Sequence, residues 1–189
     1  MSDANIIDGV DYGPLAALVG NWSGDKGMDI APEPDGKEET PYFETILFEA
    51  IGDVTNAELQ TLSVLRYHQV VSRKSDKQVF HNETGYWMWD AKTGVVMQSL
   101  AIPRGVCLLA GGKAQPDQTK LEVNAALNSE EWGILQSPFM KDKAKTVSFS
   151  HEISVDEDKL SYTETTVLEI YGKTFDHKDS NELRRYRSS

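Results

Sequence analysis

His177 stands in the part of this chain whose residue types are best suited to binding a metal. It lies in the polar segment 172–181, predicted to be a loop between two strands, and Asp176 and Asp179 flank it. Imidazole is the commonest metal ligand among side chains and is the proximal ligand of haem iron in many proteins. A carboxylate beside such an imidazole orients the ring. The same three residues also suit a tight turn that they cap, so both interpretations stay open.

His81 begins a predicted strand that carries further polar and aromatic residues. Because side chains alternate along a strand, His81, Glu83, Gly85 and Trp87 are expected on one face and Tyr86 on the other. A neutral imidazole on an inward face could contact a ligand or control its entry. A histidine hydrogen-bonded inside the wall of the fold is the equally simple alternative.

His151 lies in residues 147–155, where apolar and polar side chains alternate as in a half-buried strand. A single histidine in such a stripe is usually a wall residue satisfied by a hydrogen bond, and a functional role is the alternative. His68, between Tyr67 and Gln69, is similarly ambiguous. Of the two, His151 is the candidate for a ligand pocket.

A large aromatic ring near the N-terminus is flanked by glycines. Trp22 stands between Gly20 and Gly24, and glycine permits close approach of neighbouring backbone. Tryptophan combines an apolar ring with a polar N–H, which suits a residue that closes one end of a barrel. Contact with a bound ligand is the alternative role for all three.

Other catalytic and metal-binding patterns are missing from the sequence. It has no His-Glu-x-x-His segment, no paired-cysteine spacing, no phosphate-binding glycine loop and no Gly-x-Ser-x-Gly turn. Cys107, the single cysteine, lies in an apolar run and is expected to be a buried filler rather than a nucleophile. One cysteine cannot form an intrachain disulfide, which agrees with a reducing compartment.

The elements that hold these residues are predicted to be β-strands separated by turn-forming residues. The predicted strands are 42–49, 60–71, 79–89, 94–101, 106–110, 120–126, 146–155 and 160–171. Residues 12–19 are expected to form a short helical turn, and residues 31–41 a polar, proline-containing loop; Gly111 and Gly112 are expected in a turn. Strands joined by tight turns favour an all-β, antiparallel up-and-down barrel, which removes its edges by closing.

Length and composition bound the domain count and the partners. The 189 residues favour a single domain, residues 1–189, of which 1–11 are expected to be a loose segment. The formal net charge of −11 disfavours nucleic acid, and the basic cluster 184–187 is expected to be a tail or strand edge. No apolar run approaches the ~20 residues that span a bilayer, and the N-terminus lacks a secretory signal. We therefore expect no membrane partner, a cytoplasmic location, and a monomer or homodimer.

Three short strings, taken in order, resemble the nitrobindin-type haem-binding β-barrels, which are similar to fatty-acid-binding proteins. The strings are Gly20-Asn-Trp22-Ser-Gly24, His81-Asn-Glu-Thr-Gly85-Tyr86-Trp87 and Leu100-Ala-Ile-Pro103-Arg104-Gly105. The resemblance implies a ten-stranded antiparallel barrel of the calycin type, with a short N-terminal helix closing one end. It also implies that haem b binds near the open mouth through a histidine close to the C-terminus, here His177.

The resemblance extends to activity and to the pocket. Members bind nitric oxide or isomerise peroxynitrite to nitrate, so a haem-dependent isomerase activity is an expectation for this chain. The residues expected to contact the cofactor are His177, His81, Trp22 and Trp87, and those expected around the ligand pocket are Gly20, Gly24, Tyr86, Arg104 and His151.

Two other functions are compatible with a closed barrel. A carrier without metal would bind a fatty acid or another small hydrophobic molecule, with Arg66 or Arg104 paired to its carboxylate. An interaction module would instead have an interior filled by side chains, to which four Trp and six Phe residues could contribute.

Overall fold

The computed structural model describes residues 5–186, most of which belong to one closed sheet. The strands are β1 (Ile6–Ile7), β2 (Val10–Asp11), β3 (Gly20–Glu33), β4 (Gly36–Asn56), β5 (Gln60–Arg73), β6 (Val79–Asp90), β7 (Val95–Ile102), β8 (Val106–Lys113), β9 (Lys120–Ala126), β10 (Ile134–Gln136), β11 (Ala144–Asp156), β12 (Lys159–Ile170) and β13 (Lys173–Tyr186). A 3-10 helix covers Gly13–Leu18, and helix α1 covers Pro138–Lys143.

Ten of these strands close into an antiparallel barrel, as predicted. The order around the wall is β3, β4, β5, β6, β7, β8, β9, β11, β12 and β13, and β13 pairs with β3. The seam between β8 and β9 is made where Gly111 pairs with Asn124. A Cβ atom on Gly112 would lie 2.0 Å from the carbonyl oxygen of Glu122, so glycine is what lets β9 come this close. The prediction that Gly111 and Gly112 form a turn was wrong, because both lie inside β8.

The first hairpin of the barrel extends further than predicted. Strand β3 continues to Glu33 and β4 begins at Gly36, so residues 31–41 are almost entirely paired strand rather than a polar loop. Their charged side chains point to solvent, where Nζ of Lys37 lies 2.6 Å from Oε1 of Glu39. The polar composition therefore reflects exposure of this hairpin to solvent. The backbone hydrogen bonds of the two strands form without an apolar face.

The 3-10 helix closes one end of the barrel, which we call the floor. Leu15 and Leu18 are fully buried there. The Nε1–H group of Trp22 on β3 donates a hydrogen bond of 2.7 Å to the carbonyl oxygen of Leu18. The helical turn predicted for residues 12–19 is therefore present, and it is tied to the first strand of the barrel.

The N-terminal segment predicted to be loose lies partly outside the described residues, because residues 1–4 are not among them. From residue 5 onward it is ordered, since β1 and β2 pair as a hairpin. Ile7 and Val10 pack against the core, and the side-chain amide of Asn5 donates a hydrogen bond of 3.1 Å to the carbonyl oxygen of Pro116. These contacts explain why residues 5–11 are ordered although the sequence predicts a loose segment.

The end opposite the floor, which we call the mouth, is ringed by the turns that follow β3, β5, β7 and β12. Inward positions toward the floor carry buried apolar side chains such as Leu65 and Trp89. Inward positions toward the mouth carry ionisable side chains, and His177 and Asp179 there remain 28% and 26% exposed. The polar part of the interior is therefore the part that solvent reaches. Within the described part of the chain, no helix is long and apolar enough to cross a membrane.

Candidate functional site

Three side chains of metal-ligand type meet at the mouth. His177 and Asp179 share the inner face of β13, and Asp29 lies opposite Asp179 on β3. Nε2 of His177 is 2.6 Å from Oδ1 of Asp29 and 3.5 Å from Oδ2 of Asp179. All three donor atoms lie within 4.8 Å of one another. We call these residues the mouth cluster.

The rigid sheet, and not a loop, positions His177. Residues 172–181, predicted to be a loop, belong almost wholly to β13, which pairs with both β12 and β3. The turn between β12 and β13 contains only Tyr171 and Gly172. Because side chains alternate along a strand, Asp176 faces solvent, and Asp179 is the flanking carboxylate that reaches the ring.

Burial and neighbouring charges shift the protonation of the mouth cluster. Burial opposes charge on His177, but the hydrogen bond to Asp29 and the charge of Asp179 outweigh it, and the pKa of His177 is raised. Burial raises the pKa of Asp179 to about 7, an increase that the charge of His177 opposes and the Asp29 carboxylate reinforces. The ring therefore gains a proton more readily, and Asp179 loses one less readily, than in water.

His81 is a second imidazole at the mouth. Its Nε2 lies 3.5 Å from Oε2 of Glu83, and although burial opposes its charge, Glu83 outweighs this effect and the pKa of His81 is raised. Arg104, in the turn between β7 and β8, donates a hydrogen bond of 3.1 Å to the carbonyl oxygen of Phe80. The charge of Arg104 lowers the pKa of both His81 and His177, so all three cationic groups face the same region.

A chain of hydrogen bonds leads from Glu83 into the deep interior. The hydroxyl of Tyr67 donates to Oε1 of Glu83 at 2.5 Å, and Nε2 of Gln98 donates to that hydroxyl at 3.0 Å. Nδ1 of His151 lies 2.9 Å from Oε1 of Gln98. Because Gln98 uses its amide nitrogen toward Tyr67, its oxygen accepts, and His151 therefore carries its proton on Nδ1.

His151 is buried with its other nitrogen unpaired. The rings of Trp87, Phe149 and Tyr162 surround it at centroid distances of 5.7, 6.2 and 5.6 Å. Nε2 has no hydrogen-bond partner, and burial lowers the pKa of the ring to about 4. His151 is therefore neutral near pH 7 and holds an unused lone pair on Nε2.

Further carboxylates line the interior. Glu44 accepts hydrogen bonds from the side chains of Gln69, Tyr162 and Asn181 at 2.6 to 3.1 Å. Burial raises the pKa of Glu44 to about 7 even though these donors favour its charged form. Burial also raises the pKa of Glu164 on β12 well above its usual range. The interior beside the mouth is therefore acidic and holds protons near neutral pH.

Trp22, Gly20 and Gly24 lie on the half of β3 nearer the floor, away from the mouth cluster. The guanidinium carbon of Arg185 lies 4.1 Å from the centroid of the Trp22 ring. A Cβ atom on Gly24 would lie 2.5 Å from the carbonyl oxygen of Glu182, so this glycine allows β13 to approach. The contacts of Trp22 and Gly24 hold the barrel together at its closed end.

Three side chains considered for a ligand site face outward. Tyr86 is 44% exposed, on the face of β6 opposite Glu83. Arg66 binds Oε2 of Glu49 on the surface, and His68 lies 3.0 Å from Oδ1 of Asn82. The expectation that Tyr86 borders the pocket, and that Arg66 pairs with the carboxylate of a ligand, therefore does not agree with their positions.

Asp29 is the most important residue of the mouth that the sequence reasoning missed. Asp29 occupies an inward position of β3. Glu44 and Gln98 occupy inward positions of β4 and β7. Acidic side chains are rarely buried without a partner or a role. The signal available in the sequence was a polar residue at a strand position where alternation calls for an apolar one.

Comparison with known proteins gives one family and a similar fold. Residues 11–185 match the family described as THAP4-like, heme-binding beta-barrel domain. The structure described as "Crystal Structure of Rv2717c from M. tuberculosis" superposes with a TM-score of 0.66 and 23% sequence identity, covering 92% of this chain and 95% of that chain. At this identity the likeness shows the fold. Comparison with curated protein sequences finds no match.

Proposed function

Because this chain belongs to the THAP4-like, haem-binding β-barrel domain family, we propose that it binds haem b at the mouth, with His177 as the axial ligand of the iron. The position of His177 is the observation that carries the proposal. Its imidazole stands on the inner face of a strand paired on both sides, and 28% of the side chain is open to solvent. A ligating ring needs this combination of fixed orientation and access.

The residues at the mouth fit an iron porphyrin in their donor chemistry. Imidazole is a common protein ligand of haem iron, and the inward position of His177 on a strand paired on both sides fixes where its ring lies. Arg104 and His81 bring positive charge to the same region, which suits the propionate groups of haem. Asp29 holds Nε2 of that ring, so it would have to release this nitrogen for iron to bind there.

The other residues confine the site to one end of the barrel. Trp22, Leu15 and Leu18 fill the floor, so a ligand enters from the mouth. Glu83 accepts a hydrogen bond from the hydroxyl of Tyr67, and its other oxygen lies 3.5 Å from Nε2 of His81. Haem bound at the mouth would supply an iron that takes small ligands, and the finer proposal is that it binds nitric oxide or isomerises peroxynitrite to nitrate.

Titration of the purified protein with ferric haem, followed at the Soret band, tests the proposal. We expect a saturable shift with one haem per chain, and at least a tenfold loss of affinity in His177→Ala. His68→Ala, on the outer face of β5, is the control and should bind as the wild type does. Absence of a saturable shift in the wild type would overturn haem binding, and equal affinity in His177→Ala would overturn the axial role. A saturable complex would then be tested with nitric oxide and with peroxynitrite.

A metal-free carrier of a fatty acid or another small hydrophobic molecule is less well supported. Arg66 faces solvent, and Arg104 at the mouth could pair with a carboxylate of either ligand, so the match to the haem-binding family is what favours haem. We also propose a cytoplasmic location, which the single cysteine supports, and a monomeric or homodimeric state.

A further inference from the structure

We propose that the mouth cluster, Asp29, His177 and Asp179, binds one divalent first-row transition-metal ion, such as Zn²⁺, Mn²⁺ or Co²⁺, when haem is absent. This site goes beyond haem binding because it gives a role to two carboxylates that a porphyrin iron does not need. It does not rest on the haem proposal, since the ion requires only these side chains and water.

The spacing of the donor atoms suits such an ion. Nε2 of His177 lies 2.6 Å from Oδ1 of Asp29 and 3.5 Å from Oδ2 of Asp179. Ligand bonds of about 2.0–2.2 Å put neighbouring donors of a tetrahedral or octahedral ion roughly 3 Å apart. The two separations lie on either side of this value, so small side-chain rotations bring the donors to bonding distance.

The backbone keeps the three donors together without a ligand. Asp179 pairs with Asp29 across β13 and β3, and His177 lies two residues from Asp179 on the same inner face. Sites built on strands are held more rigidly than sites on loops. One imidazole with two carboxylates is a donor set for Zn²⁺, Mn²⁺ and similar ions, and the partial exposure of His177 and Asp179 leaves the remaining positions to water.

The charge around the mouth cluster also favours a cation. Asp179 is paired with Asp29 on one side and with Glu164 on the other, so three acidic residues lie side by side across three strands. Like charges at directly opposed positions destabilise a sheet. The raised pKa values of Asp179 and Glu164 mean that protons reduce the charge of this row when no ion is bound. A divalent ion would replace the protons of Asp179 and His177 and balance the charges of the two aspartates.

The row continues across β11 to His151, one of whose ring nitrogens is unpaired. His151 pairs with Glu164 in the strand register, and its Nδ1 lies 3.9 Å from Oε2 of Glu164. Its side chain is only 7% exposed, yet Nε2 has no hydrogen-bond partner. Buried polar atoms are nearly always paired, so the neighbour of this row holds a lone pair that a donor such as water would satisfy.

The test uses the full chain, freed of metal with a chelator and kept free of haem. Co²⁺ is added while its visible absorption is recorded, and Zn²⁺ is then added in competition. We expect one Co²⁺ per chain and at least a tenfold weaker affinity in Asp29→Asn and in Asp179→Asn. Asp176→Asn is the matched control, because Asp176 lies on the same strand but faces solvent. Thermal unfolding of each variant checks that it folds, and either aspartate variant alone suffices for the test.

The outcomes separate this site from the haem proposal. Failure of the wild type to bind Co²⁺, or wild-type affinity in the two aspartate variants, would overturn the metal site. A saturable Soret shift in the wild type without Co²⁺ binding would overturn the metal site and leave haem binding standing. Normal Co²⁺ binding without any Soret shift would overturn haem binding and leave the metal site standing.

Discussion

Nε2 of His177 lies 2.6 Å from Oδ1 of Asp29, although the two residues are 148 positions apart in the chain. The contact joins β13, the last strand of the barrel, to β3, its first. A divalent cation bound by the mouth cluster would take the same nitrogen that Asp29 holds. Protonation of His177 and occupation of the mouth are therefore linked through a single carboxylate.

Asp29→Asn should lower the pKa of His177. Burial opposes charge on this ring, and the hydrogen bond to Asp29 is the largest of the influences that raise the pKa, so its weakening lets burial dominate. NMR titration of the His177 ring in both proteins measures the change. Asp176→Asn should leave the titration where it is. A pKa of His177 that does not fall in Asp29→Asn would contradict this account of the contact.

His151→Gln should reduce the loss of stability in acid. The folded-state pKa of His151 is about 4, below its ordinary 6.5, so between these values the unfolded chain binds a proton that the folded chain does not. The stability contributed by this group is complete above about pH 6.5 and falls as the pH drops towards 4, by on the order of 3 kcal/mol. Urea unfolding of both proteins at pH 7.5 and pH 4.5 measures this. If the free energies of unfolding of the wild type and His151→Gln differ by the same amount at both pH values, the proposed role of His151 in acid is disproved.

Gly85→Ala should destabilise the barrel by roughly 1–3 kcal/mol or more, because it forces extra volume into a packed wall. A Cβ atom on Gly85 would lie 1.9 Å from the carbonyl oxygen of Ser99 on β7, and backbone cannot rotate away. Gly36→Ala is the control, since no atom lies within 4 Å of its Cβ position. The free energies of unfolding give the comparison, and equal stability of the two variants would refute the explanation.

The inward face of β6 could be predicted because alternation is a local property. Glu83 and Trp87 are buried and Tyr86 is exposed, as a period of two requires. The closed barrel followed from the same patterning repeated along the chain, together with the resemblance carried by the three strings.

The mouth could not be predicted in the same way. The composition around His177 is typical of a loop, and it becomes a strand only through pairing with β12 and β3. Asp29 meets His177 through the closure of the barrel, and no local pattern records which residues closure brings together. The network of Gln98 and His151 depends equally on strands that are distant in sequence.

The central claim is that His177 binds the haem iron, and replacement of its side chain by a free ligand tests it most directly. His177→Gly should lose the Soret shift of the wild type on titration with ferric haem, and addition of imidazole should restore the complex. The matched variant His68→Gly should bind haem without imidazole, with the affinity of the wild type. Haem binding by His177→Gly that equals the wild type, with an unchanged spectrum and no effect of imidazole, would contradict the claim.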